Sequence, residues 1–196
     1  MNTKPKHLTF DGQNTWFTAD LHLGHRGILR MEGRPFTSVE EMNESLILAW
    51  NSRVRASDDV FFLGDFAMNF SEEQCQEAFA KLKGKKHLIV GNHDKERVLK
   101  LPWASEPVEQ RSIRVDGTRV VLNHYGMRTW NGMWKGALHL YGHSHGKLPG
   151  TTQSCDVGVD AWAYRPVRLT EIRERLAETT ALPDERMHAA EPDDGE

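Results

Sequence analysis

The sequence predicts a layered α/β domain, and three features carry that reading. Short apolar runs recur along the chain, each stopping at Gly, Asp, Asn or His. Two longer segments between such runs repeat their apolar residues at helical spacing. A tight-turn dipeptide, Asp116-Gly117, separates two more strand-like stretches.

Taken in order, buried strands are expected at residues 14–19, 60–63, 87–90, 120–122 and 138–141, where β-branched, aromatic and aliphatic residues predominate. Ser38-x-x-Glu41 reads as a capping box, two side chains that satisfy each other's backbone N–H, ahead of Met42, Leu46, Ala49, Trp50 and Val54. Ser71-x-x-Gln74 does the same ahead of Cys75, Ala78, Phe79 and Leu82, and Gly84 is a stop signal. Asp116-Gly117 between 113–115 and 118–122 is a hairpin signal, because both residues tolerate the positive φ of a type I′ turn. The chain is strand-rich from there on, so a second sheet is expected, with further short strands at 156–159 and 167–170 and a helix at 171–177. One domain is expected over 1–179, followed by a polar, acidic, unstructured tail at 180–196.

Composition narrows the function classes. The 25 Lys and Arg against 28 Asp and Glu leave a net charge of −3, which argues against tight sequence-independent nucleic-acid binding without excluding a nucleotide or a locally basic groove. No run of 18 apolar residues occurs, and residues 1–7 lack the apolar stretch of a signal peptide. Cys75 and Cys155 form no C-x-x-C pair, so no disulfide framework or zinc knuckle is expected, and a cytoplasmic protein with reduced thiols is. The oligomeric state is left open.

Five clusters follow the five strands named first: Asp20-Leu21-His22, Gly64-Asp65, Gly91-Asn92-His93-Asp94, Asn123-His124 and Gly142-His143-Ser144-His145. Carboxylates, an amide and imidazoles make a mixed N/O set suited to Mn²⁺, Fe²⁺ or Zn²⁺, and the absence of thiolates argues against a structural zinc. One ion takes about four to six ligands, so this supply suits two. In Asp20-x-His22 and His143-x-His145, residues two apart in an extended segment are expected to point the same way. Gly64, Gly91 and Gly142 are expected to let the chain turn sharply before a ligand.

These blocks, in this order from Asp20 to His145, resemble the calcineurin-like metallophosphoesterases, whose pattern runs D-x-H, G-D, G-N-H-D/E, H and G-H-x-H. The wording around Ala19–His25 and Leu63–Phe66 is similar to a small bacterial and phage branch of that family. The resemblance implies a four-layer α/β/β/α sandwich and two divalent ions, Mn first among Mn, Fe, Zn, Ni and Mg. It implies that Asp20, His22 and His145 hold one ion, Asn92, His124 and His143 the other, and that Asp65 bridges them. His93 would face the substrate phosphate or leaving group, with Asp94 orienting it. Two ions about 3.5–4 Å apart can share and acidify a water that then attacks phosphorus. The substrate expected is a small-molecule phosphoester or nucleotide, with a lean toward diesters. The alternatives are a nuclease or RNA-processing phosphodiesterase, and a metal-stabilised binding module without turnover.

Other residues are weighed beside these. His25 and Arg26, and Arg34 further on, are candidate substrate contacts; the alternative is surface charge. His87 and His139 read as structural histidines inside strands, and His7 and His188 have no block around them. Trp130 and Trp134, in a glycine-containing segment at 127–135, read first as packing residues and second as a flap over an aromatic group; Trp103, Trp162 and Tyr164 read as packing. Lys81, Lys83, Lys85 and Lys86 read as a solvated helix end favoured by the helix dipole.

Overall fold

A computed structural model describes residues 8–184. The N-terminal residues 1–7, His188 and most of the expected acidic tail, from residue 185 on, lie outside the described residues. In chain order the elements are β1 (Leu8–Phe10), β2 (Thr15–Thr18), α1 (Arg26–Met31), α2 (Val39–Arg53), β3 (Asp59–Phe62), α3 (Glu72–Lys81), β4 (Lys85–Leu88), α4 (Glu96–Leu99), β5 (Gln110–Val115), β6 (Thr118–Asn123), β7 (Leu138–Tyr141), β8 (Ser154–Asp156), β9 (Val167–Arg168) and α5 (Leu169–Ala177).

They form two mixed sheets, one of four strands in the order β4-β3-β2-β9 and one of five in the order β1-β5-β6-β7-β8. In the first, β2, β3 and β4 run parallel and β9 closes the edge antiparallel. Strand side chains alternate between faces. Trp16, Val60, Phe62 and Leu88 accordingly meet α2 and α3 in one core through Met42, Leu46, Trp50, Cys75 and Phe79. Phe17 and Phe61, one position away, meet Ile113, Val115, Leu122, Leu138 and Leu140 of the second sheet in another core, where α5 adds Leu169, Ile172 and Leu176. The outer face of the second sheet is covered by Trp130, Met133 and Ala137 against Val121, from a segment whose only regular piece among the described residues is the 3-10 turn Met133–Lys135. No helix among the described residues is long and apolar enough to cross a membrane.

Local chemistry explains where the elements start. Ser71 Oγ accepts from Gln74 N while Gln74 Oε1 accepts from Ser71 N, a complete capping box. At α2, Ser38 Oγ accepts from Glu41 N, but the Glu41 carboxylate reaches back one residue further, to Thr37 N. Such a cap stabilises by about 1 kcal/mol. The hairpin between β5 and β6 turns on Asp116 and Gly117 at φ 47° and 77°, as a type I′ turn requires.

Five strands, β2, β3, β4, β8 and β9, stop earlier than the sequence predicts, and the departures at β4 and β8 lead to the site. β4 ends at Leu88 because Val90 N bonds Val108 O, in the run that leads into β5. β8 ends at Asp156 because Val159 N bonds Ala19 O, back at the first sheet. In each case the chain leaves one sheet for the other at the carboxyl ends of the strands.

Candidate metal centre

Those carboxyl ends converge. The loops after β2, β3, β6 and β7 place two groups whose ligand atoms lie within 4.8 Å of one another: Asp20, His22 and His145, and Asp65, His124 and His143. Asp65 Oδ2 stands between the groups, 3.4 Å from His22 Nε2 and 3.6 Å from His124 Nε2. Asn92 Oδ1 joins the second group, 2.9 Å from His124 Nε2. His143 and His145 fall in different groups, so the expectation that residues two apart point together does not hold there.

The reason is backbone conformation. Asp20, His22, Asp65, His143 and His145 all sit at left-handed φ, between 49° and 65°. Each costs roughly 1–2 kcal/mol relative to the usual conformation. The strain is held by hydrogen bonds between adjacent loops, Asp20 N to Gly64 O and His22 N to Asp65 O, both 3.0 Å. The glycines play a different part from the one expected. Only Gly64 of the three has positive φ, at 92°. Gly91 and Gly142 supply space: a Cβ on Gly91 would lie 2.4 Å from Asp65 Oδ1, and one on Gly142 would lie 2.7 Å from Asp20 Oδ2.

Electrostatics inside the cluster favours a cation. Asp20 Oδ1 and both ring nitrogens of His22 are buried and have no hydrogen-bond partner within the protein. Burial, with Asp156 and Asp65 adding repulsion, pushes the Asp20 carboxyl well above its usual range. Burial, reinforced by His145 and Arg34, pushes His22 down to about 2, which leaves the neutral imidazole that ligates metals. His124 is also lowered by burial; its Nδ1 lies 2.6 Å from Leu63 O, so a proton there aims the Nε2 lone pair at Asn92 Oδ1 and Asp65. Asp20 Oδ2 accepts from His143 N at 2.9 Å, but a buried carboxylate oxygen left without a partner and facing imidazole lone pairs is costly in the protein alone and is relieved by a bound cation.

The comparisons agree with this geometry. Residues 14–162 match the family model of the calcineurin-like phosphoesterases. The chain belongs to the calcineurin-like phosphoesterase family. It is 30% identical over 162 residues to the protein MJ1445 of Methanocaldococcus jannaschii, covering 79% of this chain and 86% of that one. It is 29% identical over 194 residues to the gene 66 protein of Mycobacterium phage D29, covering 83% of this chain and 96% of that one. The crystal structure of the Aquifex aeolicus protein AQ665 superposes with a TM-score of 0.65 at 20% identity, over 82% of this chain and 98% of that one, which is a likeness of fold. Membership of the calcineurin-like phosphoesterases implies metal-dependent phosphoester hydrolysis.

Within this phosphoesterase the remaining candidates fall in distinct places. The His93 ring is 5.4 Å from that of His22 and half-buried, and its backbone N–H donates to Asp65 Oδ1 at 2.8 Å. His25 is also half-buried, its ring 5.4 Å from His22; burial, with His93 nearby, lowers its pKa. Arg26 is exposed at the start of α1. Asp94 does not direct its carboxylate to His93 as expected: Oδ2 accepts from Asp65 N and Gly91 N, and Oδ1 from Phe66 N, so it fixes the loops after β3 and β4. Burial raises its pKa to about 6. Arg34 was expected at the substrate, but its guanidinium is turned into the interior, donating to Asp160 and to the carbonyls of Leu21 and Asp20.

Three residues of the phosphoesterase site were not singled out from the sequence. Asp160 Oδ2 lies 2.7 Å from His145 Nδ1, which fixes the other ring nitrogen as the ligand. Asp156 accepts from Ser144 Oγ, Gly146 N and Gly158 N, bracing the loop that carries His143 and His145. The signal was present as two acids flanking Gly158 after the short strand β8. Tyr125, directly after His124, is 48% exposed, with its ring 4.7 Å from His143.

The structural readings can be compared one by one. His87 bonds Ser105 and Asp59, and His139 accepts from Met127 N inside the second sheet. Trp130 is buried and donates to Ala137 O, Trp103 donates to Val98 O, and Trp162 donates to Asp156 O, all as packing residues. Lys86 departs from the solvated run: it is buried, with Nζ donating to Leu82 O at the end of α3 and lying 4.2 Å from the Phe79 ring centre.

Proposed function

We propose that this phosphoesterase hydrolyses phosphomono- or phosphodiesters of small molecules or nucleotides at a two-metal centre, with diesters preferred. The observation that carries the proposal is the position of the Asp65 carboxylate, which groups with His124 and His143 and also lies 3.4 Å from His22 of the other group. Asp20, His22 and His145 would hold one divalent ion, and Asn92, His124 and His143 the other, with Asp65 common to both; Mn is proposed first, ahead of Fe, Zn, Ni and Mg. Bound there, two ions would supply a water acidified to a pKa of about 7 and offset charge on the phosphoryl oxygens.

The chain's own groups complete the proposal. His93 is aimed by its backbone bond to Asp65 and stands next to His22, where its imidazole can give a proton to the departing oxygen. General acid catalysis of this kind is worth about 10²–10⁴-fold. His25 borders the same space and can hold a non-bridging oxygen. No side-chain nucleophile is needed, so no phospho-enzyme forms.

The test is purified protein stripped of metal, reloaded with Mn²⁺, and assayed on p-nitrophenyl phosphate and bis(p-nitrophenyl) phosphate with the metal content measured in parallel. Two ions per chain and faster diester turnover are expected, with both lost in Asp65→Asn. A fully loaded protein that turns over neither ester, with any of the five metals, overturns the proposal.

A further inference from the structure

The metal groups do not stand alone at the strand ends. A hollow of about 240 Å³ opens beside them, lined by Val90, Gly91, Asn92, Glu109, Asn123 and Tyr125. It lies where the two sheets part: Val90–Asn92 follow β4, and Glu109 and Asn123 flank the paired ends of β5 and β6, where Gln110 faces Asn123. One lining residue, Asn92, also belongs to the second ligand group. Another, Tyr125, has its ring 5.1 Å from His124 and 4.7 Å from His143. The hollow and the second metal group therefore share a wall.

The wall is held in place. Asn123 Oδ1 accepts from Tyr125 N at 2.8 Å, and Asn123 Nδ2 donates to Glu109 O at 3.1 Å. Asn123 thus sets the backbone of both the aromatic and the acidic residue. One side of the Tyr125 ring packs edge-on with His124 and His143, and nearly half of the residue stays exposed, which leaves a flat apolar face open at the hollow.

Charge and size then limit the occupant. Glu109 is the one ionisable group other than the tyrosine among the six lining residues, and no Lys or Arg lines the hollow. A second phosphate would meet the Glu109 carboxylate with no lining Lys or Arg to offset it. A group with hydroxyl or amino donors would instead meet an acceptor. Ligand sites for drug-sized molecules run from about 300 to 1,000 Å³, so this smaller hollow suits one ring rather than a whole dinucleotide.

We infer that the hollow is a specificity subsite for a donor-bearing ring, the sugar or base of the esterified alcohol, with its apolar face packed on Tyr125 and its donors hydrogen-bonded by Glu109. It selects phosphoesters of nucleosides or sugars and disfavours substrates that carry further phosphates on this side. The inference rests on the phosphoesterase reading above, and it goes further by choosing among substrates.

Equilibrium binding to the Mn²⁺-loaded protein, by calorimetry, tests it without turnover. The probes are methylphosphonate and the 5′-methylenephosphonate analogues of AMP and of ribose 5-phosphate, none of which can be hydrolysed at its C–P bond. At least one ring-bearing probe is expected to bind tenfold or more tighter than methylphosphonate. Tyr125→Ala and Glu109→Ala, both on exposed side chains, are each expected to bring that ratio down toward one. The ribose and AMP arms distinguish sugar from base. A ratio near one in the unsubstituted protein, or a ratio that survives both substitutions, overturns the subsite. If methylphosphonate itself fails to bind the loaded protein, the phosphoesterase reading fails, and the subsite with it.

Discussion

Arg34 and Asp160 form a two-pronged ion pair inside the protein, with Nε to Oδ1 and Nη2 to Oδ2 both at 2.8 Å and the Arg34 side chain fully buried. The same guanidinium donates to the carbonyls of Leu21 and Asp20, and the same Asp160 carboxylate meets His145 Nδ1. One arginine therefore ties the loop carrying Asp20 and His22 to the loop carrying His145, which together make up the first ligand group. Partners of this kind fix ligand orientation and are worth about 10–100-fold in metal affinity.

Asp160→Asn should therefore weaken one metal site and spare the other. A chelator competition titration should show one of two ions released 10–100-fold more readily, with the second unmoved. Arg34→Met should cost about 3–5 kcal/mol in unfolding free energy, because it leaves Asp160 buried without its cation. Equal loss of both ions in Asp160→Asn would show that the pair acts on the whole fold rather than on one ligand group.

The sequence made some of this legible and hid the rest, for physical reasons. Apolar runs and caps are local signals, so β2, β3, β7, α2, α3 and the β5–β6 hairpin could be read from spacing. The candidate ligands were legible because each follows a strand, and family resemblance proposed how they group. Arg34 was misplaced because a charged residue in a loop gives no local sign of burial; its partner Asp160 is 126 positions away. Asp94 sits beside His93 in the chain, yet its carboxylate goes to amides of residues 65, 66 and 91. The left-handed backbone at five ligands was invisible because Asp and His carry no positional mark for positive φ, whereas glycine does.

That strained geometry makes a prediction for Asp20→Asn. Asp20 has left-handed φ, an unpartnered Oδ1, and a pKa raised by burial and by its acidic neighbours. Asparagine keeps the shape, tolerates positive φ and carries no charge. The metal-free variant should be more stable than the parent at pH 7, by about 1–2 kcal/mol, since burial and the neighbouring Asp156 and Asp65 disfavour a carboxylate at this position. Addition of Mn²⁺ should raise its melting temperature much less than that of the parent. Thermal melts with chelator and with Mn²⁺ check both signs; a metal-free variant less stable than the parent would mean that the site is not strained.

His139 predicts a pH effect away from the metals. Burial lowers its pKa from 6.5 to about 4, against weaker opposing bonds to Val121 O and Tyr125 O. Between those values the unfolded chain binds a proton that the folded chain refuses. Unfolding free energy therefore falls as pH falls from 6.5 toward 4, and the full contribution is present above 6.5. One pKa unit is about 1.4 kcal/mol, so the drop from pH 7 to pH 5 should be on the order of 2 kcal/mol from this residue. His139→Gln keeps a side-chain acceptor for Met127 N but does not titrate. Urea unfolding of both metal-free proteins at pH 7 and pH 5 should show a pH difference smaller in the variant by about that amount, and identical differences would remove His139 from the account.

Gly91→Ala separates the two uses of glycine in this fold. The added Cβ would meet Asp65 Oδ1 at 2.4 Å and Asp65 N at 2.6 Å, and a backbone atom cannot swing aside as a side-chain tip can. Overpacking of this kind costs about 1–3 kcal/mol, and here the shift falls on the carboxylate that lies beside both His22 and His124. Gly33→Ala is the matched control: φ is 61°, so the new residue is strained, but nothing lies within 4 Å of its Cβ. Both variants should unfold at lower denaturant concentration. Only Gly91→Ala should also lose metal, with uptake of both ions weakened tenfold or more in a direct titration. If the two variants bind metal alike, the space at Gly91 is not what places Asp65, and the hydrogen bonds that the amides of residues 65 and 91 donate to Asp94 must do it alone.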